Sequence, residues 1–193
     1  MSYYTERELR QRSGGLTASG AELQIKEASR SASGSYDVFL SHSFLDADVI
    51  LGLKNVLQGQ GLRVYVDWIE DPELDRTRVS AATAARIQQR MQACSSLVYA
   101  TSRSATKSRW MPWELGYFDG RHGGDQVGIC PIEPDVRPAV GFVGEEYLGL
   151  YKTIEPVRWS GVTRPSAIRP GRLEAQPAVR FARGSGGYER LST

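Results

Sequence analysis

The hydrophobic positions of this chain fall into short apolar runs separated by amphipathic stretches, with polar segments at both ends. Tyr36-Asp37-Val38-Phe39-Leu40-Ser41 is an apolar run of strand length that closes on polar residues, which predicts a buried strand. Residues 42–47 read as a loop, with Asp46 or Asp48 placed to cap the next helix. Val49, Leu53, Val56 and Leu57 recur on one face of that helix, and Gly59 and Gly61 stop it. Leu62 to Trp68 is the second predicted strand, and Ile69 to Arg78 a charged loop holding Pro72. A second helix spans about Ser80 to Cys94, with Ala84, Ile87, Met91 and Cys94 on one side. Leu97 to Thr101 is the third strand, and Ser102 to Ser108 a polar loop. The helix after it begins close to Pro112, because proline is tolerated only in a first turn, and ends near Gly120. Gln126 to Ile132 is the fourth strand, 133–146 a loop, and Tyr147 to Val157 a fifth strand carried by Leu148, Leu150 and Ile154.

The two ends differ from this middle. Residues 1–35 are rich in Ser, Gly, Glu and Arg and lack an apolar stripe, so an extension, ordered only in part, is expected there. Beyond Trp159 the chain is rich in Gly, Pro, Arg and Ser and reads as a loosely ordered tail over 160–193. That tail carries six Arg against two Glu, a net of +4, while the overall charge is only +2. Polyanion or partner binding by the tail competes with plain solvation, and the total is too small to imply a nucleic-acid partner.

Strands alternating with helices over 36–159 predict one α/β domain with a parallel sheet of about five strands between two helical layers. Such sheets bind ligands outside the carboxyl ends of their strands. That edge gathers Ser41-His42-Ser43 after the first strand, Asp67-Trp68 after the second, Thr101-Ser102 after the third, and the start of the helix at Trp110.

Composition narrows the chemistry. No apolar run approaches the roughly 20 residues of a membrane span, and the first fifteen residues lack a leader's apolar core, so a cytoplasmic protein is expected. Cys94 and Cys130 lie in apolar stretches and read as reduced core thiols. With two histidines, His42 and His122, no metal site is expected. Trp110 and Glu114 stand four residues apart, so a helix sets the indole beside the carboxylate. A carboxylate against an aromatic wall suits a cationic, sugar-like transition state.

Five segments in order resemble the Toll/interleukin-1 receptor (TIR) domain. Asp37-Val38-Phe39-Leu40-Ser41-His42-Ser43 looks like its opening strand, and Gly61-Leu62-Arg63-Val64-Tyr65-Val66-Asp67 like its second. The charged loop after Trp68 stands where TIR domains carry a contact loop, although Asp71-Pro72-Glu73-Leu74 lacks the usual Pro-Gly step. Leu97 to Ser102 resembles the third strand, and Ser108-Arg109-Trp110 with Glu114-Leu115 a later segment of bacterial and plant members. The resemblance implies a flavodoxin-like three-layer fold. For many bacterial members it also implies cleavage of NAD+ to nicotinamide and ADP-ribose or a cyclic ADP-ribose, as an antiviral signal.

Glu114 falls at the catalytic glutamate of those enzymes. NAD+ is then the substrate and no resident cofactor is expected. Self-association through TIR–TIR contacts, and a downstream effector that senses the product, are the implied partners. Trp110 would pack on the ribose or fix the carboxylate, Trp68 would stack on nicotinamide, and Arg76 or Arg78 would bind the diphosphate. Ser41, His42, Ser43 and Asp67 would complete the substrate site.

Each assignment has a rival. Ser41 and Ser43 can simply satisfy strand-end amides, and His42 can bond backbone rather than act as a base. Asp67 can hold the next loop, and Arg76 and Arg78 can pair with Asp71, Glu73 or Asp75. Trp113 is expected in the core. Two functional alternatives stay open: a non-enzymatic TIR interaction module, and an enzyme like the nucleoside deoxyribosyltransferases.

Overall fold

The structure, a computed structural model, describes residues 3–14, 34–74, 77, 79–102, 104–135 and 145–191. The first strand expected from the sequence is there as Tyr36–Ser41, β2; a shorter strand, Tyr4–Thr5, precedes it as β1. Between them Glu6–Arg12 forms helix α1, closed by reciprocal hydrogen bonds between Thr5 and Glu8. Helix α2 is Ala47–Gln58, strand β3 Val64–Tyr65, and α3 the single turn Asp67–Glu70. Helix α4 is Ala81–Gln92, capped by Ser80, and strand β4 is Cys94–Thr101. Helix α5 is Met111–His122 and strand β5 Val127–Glu133. Strands β6, Lys152–Trp159, β7, Val162–Ile168, and β8, Glu174–Pro177, come next, then helix α6, Ala178–Ala182, and β9, Glu189–Arg190.

The sheet runs β3-β2-β4-β5-β6-β7-β8-β9, with β1 paired to the far end of β5. From β3 to β6 the pairing is parallel, so the architecture is the α/β, flavodoxin-like one that the resemblance implies. Neighbouring residues of a strand face opposite layers. Val38, Leu40, Val98 and Ala100 pack with Leu9, Val49, Leu53 and Phe181, while Phe39, Leu97 and Tyr99 pack with Ile87, Met91, Leu115 and Phe118. Helices α1, α2 and α6 thus cover one face, and α4 and α5 the other.

Several elements differ from those expected. Cys94 starts β4 rather than ending α4, and Asp67-Trp68 open a helical turn rather than ending a strand. Residues 146–150 form a 3₁₀ turn, so the fifth strand begins only at Lys152. Part of the expected loop, 136–144, lies outside the described residues.

The expectation of a loose tail over 160–193 is corrected. β7 pairs with β6 over seven register positions, and β8 and β9 extend the sheet antiparallel. The tail looked loose because few of its residues are apolar, yet Ala167, Ile168, Ala175, Ala178 and Phe181 are all buried. Several of its arginines are occupied within the chain. Arg172 grips the fully buried Glu155 with two bonds of 2.8 and 2.7 Å, Arg169 pairs with Glu174, and Arg183 reaches Asp37 and the Gly61 carbonyl. At the other end, β1 and α1 are docked: Leu9 and Tyr4 are buried in the α2 face.

Candidate active site

The strand order reverses direction around β2. Its chain continues to β3 on one side, and β4 lies on the other. At such a switch point the loops leaving the strands part and open a crevice. The crevice is here a cavity of about 660 Å³, within the range of small-molecule sites. Its lining comes from His42 to Leu45 after β2, from Asp67 and Trp68 after β3, from Pro72 to Leu74, Thr77 and Val79, and from Lys107 to Trp110 before α5.

Beneath this edge lies a buried pair. Ser41 Oγ donates to Glu114 Oε2 at 2.6 Å, and both residues are wholly buried. Helix geometry sets Glu114 one turn below Trp110, whose carbonyl accepts from the Glu114 amide at 2.8 Å. Pro112 sits in the first turn, where its missing N–H is no loss, and Ser108 Oγ accepts from the Met111 amide at 3.3 Å. Glu114 does not itself line the cavity. His42 and Ser43, which come directly after Ser41, and Trp110, one turn before Glu114, form the wall there.

Beside them, His42 Nδ1 lies 2.8 Å from the Leu40 carbonyl oxygen and Nε2 lies 3.3 Å from Asp67 Oδ1. Both residues are almost fully buried and both line the cavity. His42 therefore makes the expected backbone bond and a second contact that the sequence did not reveal. Trp68 is half-buried, and its buried indole Nε1 has no hydrogen-bond partner among the described residues. Trp110 meets Trp113 edge to face, and Trp113 stacks on Tyr117, so Trp113 belongs to the packing behind the site.

Two anchors hold the walls. Ser102 donates to Asp46, which ties the loop after β4 to the loop after β2. Asp46 or Asp48 was expected as a helix cap; Asp46 takes the position just before α2 but makes no cap bond. Asp71 is buried, and accepts from Arg90 at 2.6 Å through two nitrogens, from Arg86 at 2.7 Å and from Tyr65 at 2.7 Å. Burial would raise its carboxyl, but the bonds from Arg90, Tyr65 and Arg86 outweigh that and hold it at about 2. The next residues, Pro72 to Leu74, are cavity wall, so this clamp fixes one side of the site.

The structure thus brings together Ser41, His42, Ser43, Asp67, Trp68, Trp110 and Glu114, as the strand-end argument requires. Arg76 and Arg78 lie outside the described residues. Lys107 and Arg109, not singled out from the sequence, are cations on the lining. Their place just before Trp110 was the available signal. Phe44, Leu45 and Val79 are exposed apolar side chains of the same cavity, and hydrophobicity alone gave no reason to place them at a site. No helix among the described residues is long and apolar enough to cross a membrane.

No protein-family model matches the chain. Two curated bacterial proteins are similar to it. One, from Bacillus cereus, bears the name "Probable 3' cyclic ADP-D-ribose synthase ThsB'" and is 55% identical over 116 residues, covering 60% of this chain and 58% of that protein. The other, from Cytobacillus dafuensis, bears the name "Putative cyclic ADP-D-ribose synthase TIR2" and is 31% identical over 83 residues, covering 42% of this chain and 22% of that protein. The chain thus spans little more than half the length of the first relative and about a fifth of the second.

Proposed function

We propose that this chain, a bacterial TIR-type protein by kinship and fold, cleaves the nicotinamide–ribose bond of NAD+ and closes the ADP-ribose into a cyclic product. The observation that carries this reading is the buried Ser41–Glu114 hydrogen bond at the sheet edge, beside a cavity walled by Trp68 and Trp110.

Nicotinamide leaves readily, because breaking the bond turns a pyridinium into a neutral pyridine. The reaction needs no general acid, unlike hydrolysis by a pair of carboxylates. What lowers the barrier is a fixed negative charge facing the oxocarbenium ion as it forms. Glu114 is that charge in this reading, and the Ser41 hydroxyl fixes which way its Oε2 points. Because Glu114 is buried behind His42, Ser43 and Trp110, the ribose reaches it only by displacing part of that wall. Trp68 and Trp110 offer aromatic faces to the nicotinamide and ribose. Lys107 and Arg109, with Arg76 and Arg78, supply cations for the diphosphate.

In this reading the product is a signal in antiviral defence, read by a separate effector in the cytoplasm. Self-association is part of the proposal, and exposed Phe44, Leu45 and Val79 are the apolar side chains available to it near the cavity mouth. The decisive experiment measures NAD+ loss and identifies products by mass spectrometry for the wild type and Glu114→Gln, dilute and under crowding. Nicotinamide release by the wild type and none by the variant supports the enzyme. No release by the wild type under any condition overturns it and favours a non-enzymatic interaction module.

A further inference from the structure

Lys54 stands inside the protein. It lies in the middle of α2, 5% exposed, among the buried apolar side chains of Val49, Ile50, Leu53 and Leu57. Its Nζ donates to Glu70 Oε1 at 3.1 Å, and both side chains of this ion pair are closed off from solvent. The other oxygen of Glu70, Oε2, accepts from the Tyr36 hydroxyl at 3.1 Å. Burial and the neighbouring Glu70 carboxylate push that hydroxyl up to about 12, so it keeps its proton and donates.

Stability does not account for such a pair. Taking two charges out of water costs about as much as their attraction returns, and apolar side chains of similar volume do as well. A hydrogen-bonded ion pair adds geometric specificity instead.

Fixed geometry is what α3 needs. This turn follows β3, which is two residues long and stands at the end of the sheet order, so strand pairing steadies it from one side. Ile69 is buried and pins one point. Glu70 is gripped from both faces of the sheet: by Tyr36, which packs with the α4 and α5 layer, and by Lys54 of α2. Two residues before Glu70, Trp68 lies on the cavity wall and packs against the apolar cluster that α2 helps build. The Glu70 amide donates to the Val66 carbonyl at 2.9 Å and the Asp71 amide to the Asp67 carbonyl at 2.7 Å, so the turn moves as one unit. Where Glu70 is held decides where the Trp68 indole stands.

We infer that Lys54 is a positioning residue of the site: through Glu70 it sets the Trp68 ring in place against the substrate. This rests on the NAD+-cleaving reading above, in which Trp68 offers its face to the nicotinamide. Lys54 and Glu70 are not among the described residues of the lining, so their effect reaches the substrate through the turn.

The test measures kcat and KM for nicotinamide release, and the melting temperature, in the full chain. It compares wild type, Lys54→Met, Lys54→Arg, Trp68→Ala, and Lys54→Met combined with Glu70→Gln. The combination leaves no buried charge unpaired and keeps an acceptor for Tyr36, so it should melt near the wild type. Lys54→Met, alone or in that combination, should raise KM for NAD+ about 3- to 10-fold with kcat changed less, the worth of one aromatic stacking contact. Lys54→Arg should recover part of the loss. In a Trp68→Ala background, Lys54→Met should raise KM no further, because the ring it places is gone.

A merely structural role would lower the folded fraction, and with it the apparent kcat, and leave KM alone. An unchanged KM in the folded Lys54→Met and Glu70→Gln combination overturns the inference. So does a Lys54→Met effect of full size in the Trp68→Ala background. If Lys54→Met alone does not fold, the combination decides by the same KM, with and without Trp68→Ala. A wild type that turns over NAD+ with the KM of its Lys54 variants sinks this inference alone. One that releases no nicotinamide sinks the enzymatic reading and this inference with it.

Discussion

Ser41 Oγ donates to Glu114 Oε2 at 2.6 Å, joining the end of β2 to the first turn of α5 across 73 positions of sequence. Neither side chain reaches solvent. A hydrogen bond to a buried charged group contributes about 1.5–3 kcal/mol, and its loss leaves the partner unsatisfied. Ser41→Ala is therefore predicted to slow nicotinamide release by about 10- to 100-fold, since about 1.4 kcal/mol is tenfold in rate. Steady-state kinetics on folded protein checks this. An activity equal to wild type would mean that the bond holds the fold and not the reactive carboxylate.

The Asp71 clamp makes a pH prediction. Its carboxyl lies at about 2 in the folded protein, below its ordinary value of 3.8. The depressed value means that its contribution is present above about pH 4 and is lost as pH falls through about 2. The shift corresponds to about 2 kcal/mol. Asp71→Asn should be less stable than wild type by about that amount near pH 7, with the gap closing between about pH 4 and 2. Denaturant melts at a series of pH values measure it. A gap that stays constant with pH would rule out the carboxylate as its source.

Gly52 lies where α1 crosses α2, and a Cβ there would overlap the Leu9 carbonyl. Backbone so placed has nowhere to move without undocking α1. Gly52→Ala should cost about 1–3 kcal/mol, the usual penalty for overpacking. Amide exchange should quicken over 3–14 while the β2 and β4 amides stay protected. Uniform loss of protection would show instead that α1 folds as one unit with the sheet.

A chain ended at Trp159 should fail to fold cooperatively. It loses β7, the partner of β6 over seven positions, and Phe181, which packs in the α2 face. It also leaves the buried Glu155 without Arg172, and an unpaired buried carboxylate costs about 3–5 kcal/mol. Circular dichroism and thermal melting of the truncated protein decide this. A sharp melt near the wild-type temperature would restore the view of 160–193 as an appendage.

Legibility varied along the chain for physical reasons. Val38 to Leu40 and Leu97 to Ala100 were readable because strands buried on both faces show as continuous apolar runs. Val162 to Ile168 was not, because its first three residues are exposed and its run of Thr, Arg and Pro resembles a loop. For Asp71, Arg86 and Arg90 reach it from α4, which no local pattern announced; Arg76 and Arg78, the expected partners of Asp71, Glu73 or Asp75, lie outside the described residues.

The sequence by itself determined the parallel α/β core and the edge at which Ser41, Asp67, Trp68 and Trp110 meet. Both follow from local periodicity and from the rule that places strand ends on one side of a sheet. Only the tertiary structure decided which side chains meet there: Ser41 bonded to Glu114, Asp71 bonded to Arg90, and His42 set 3.3 Å from Asp67. Hydrogen bonds and ion pairs act over about 3 Å, and separations of that size between residues distant in sequence are set by packing, which no local pattern encodes.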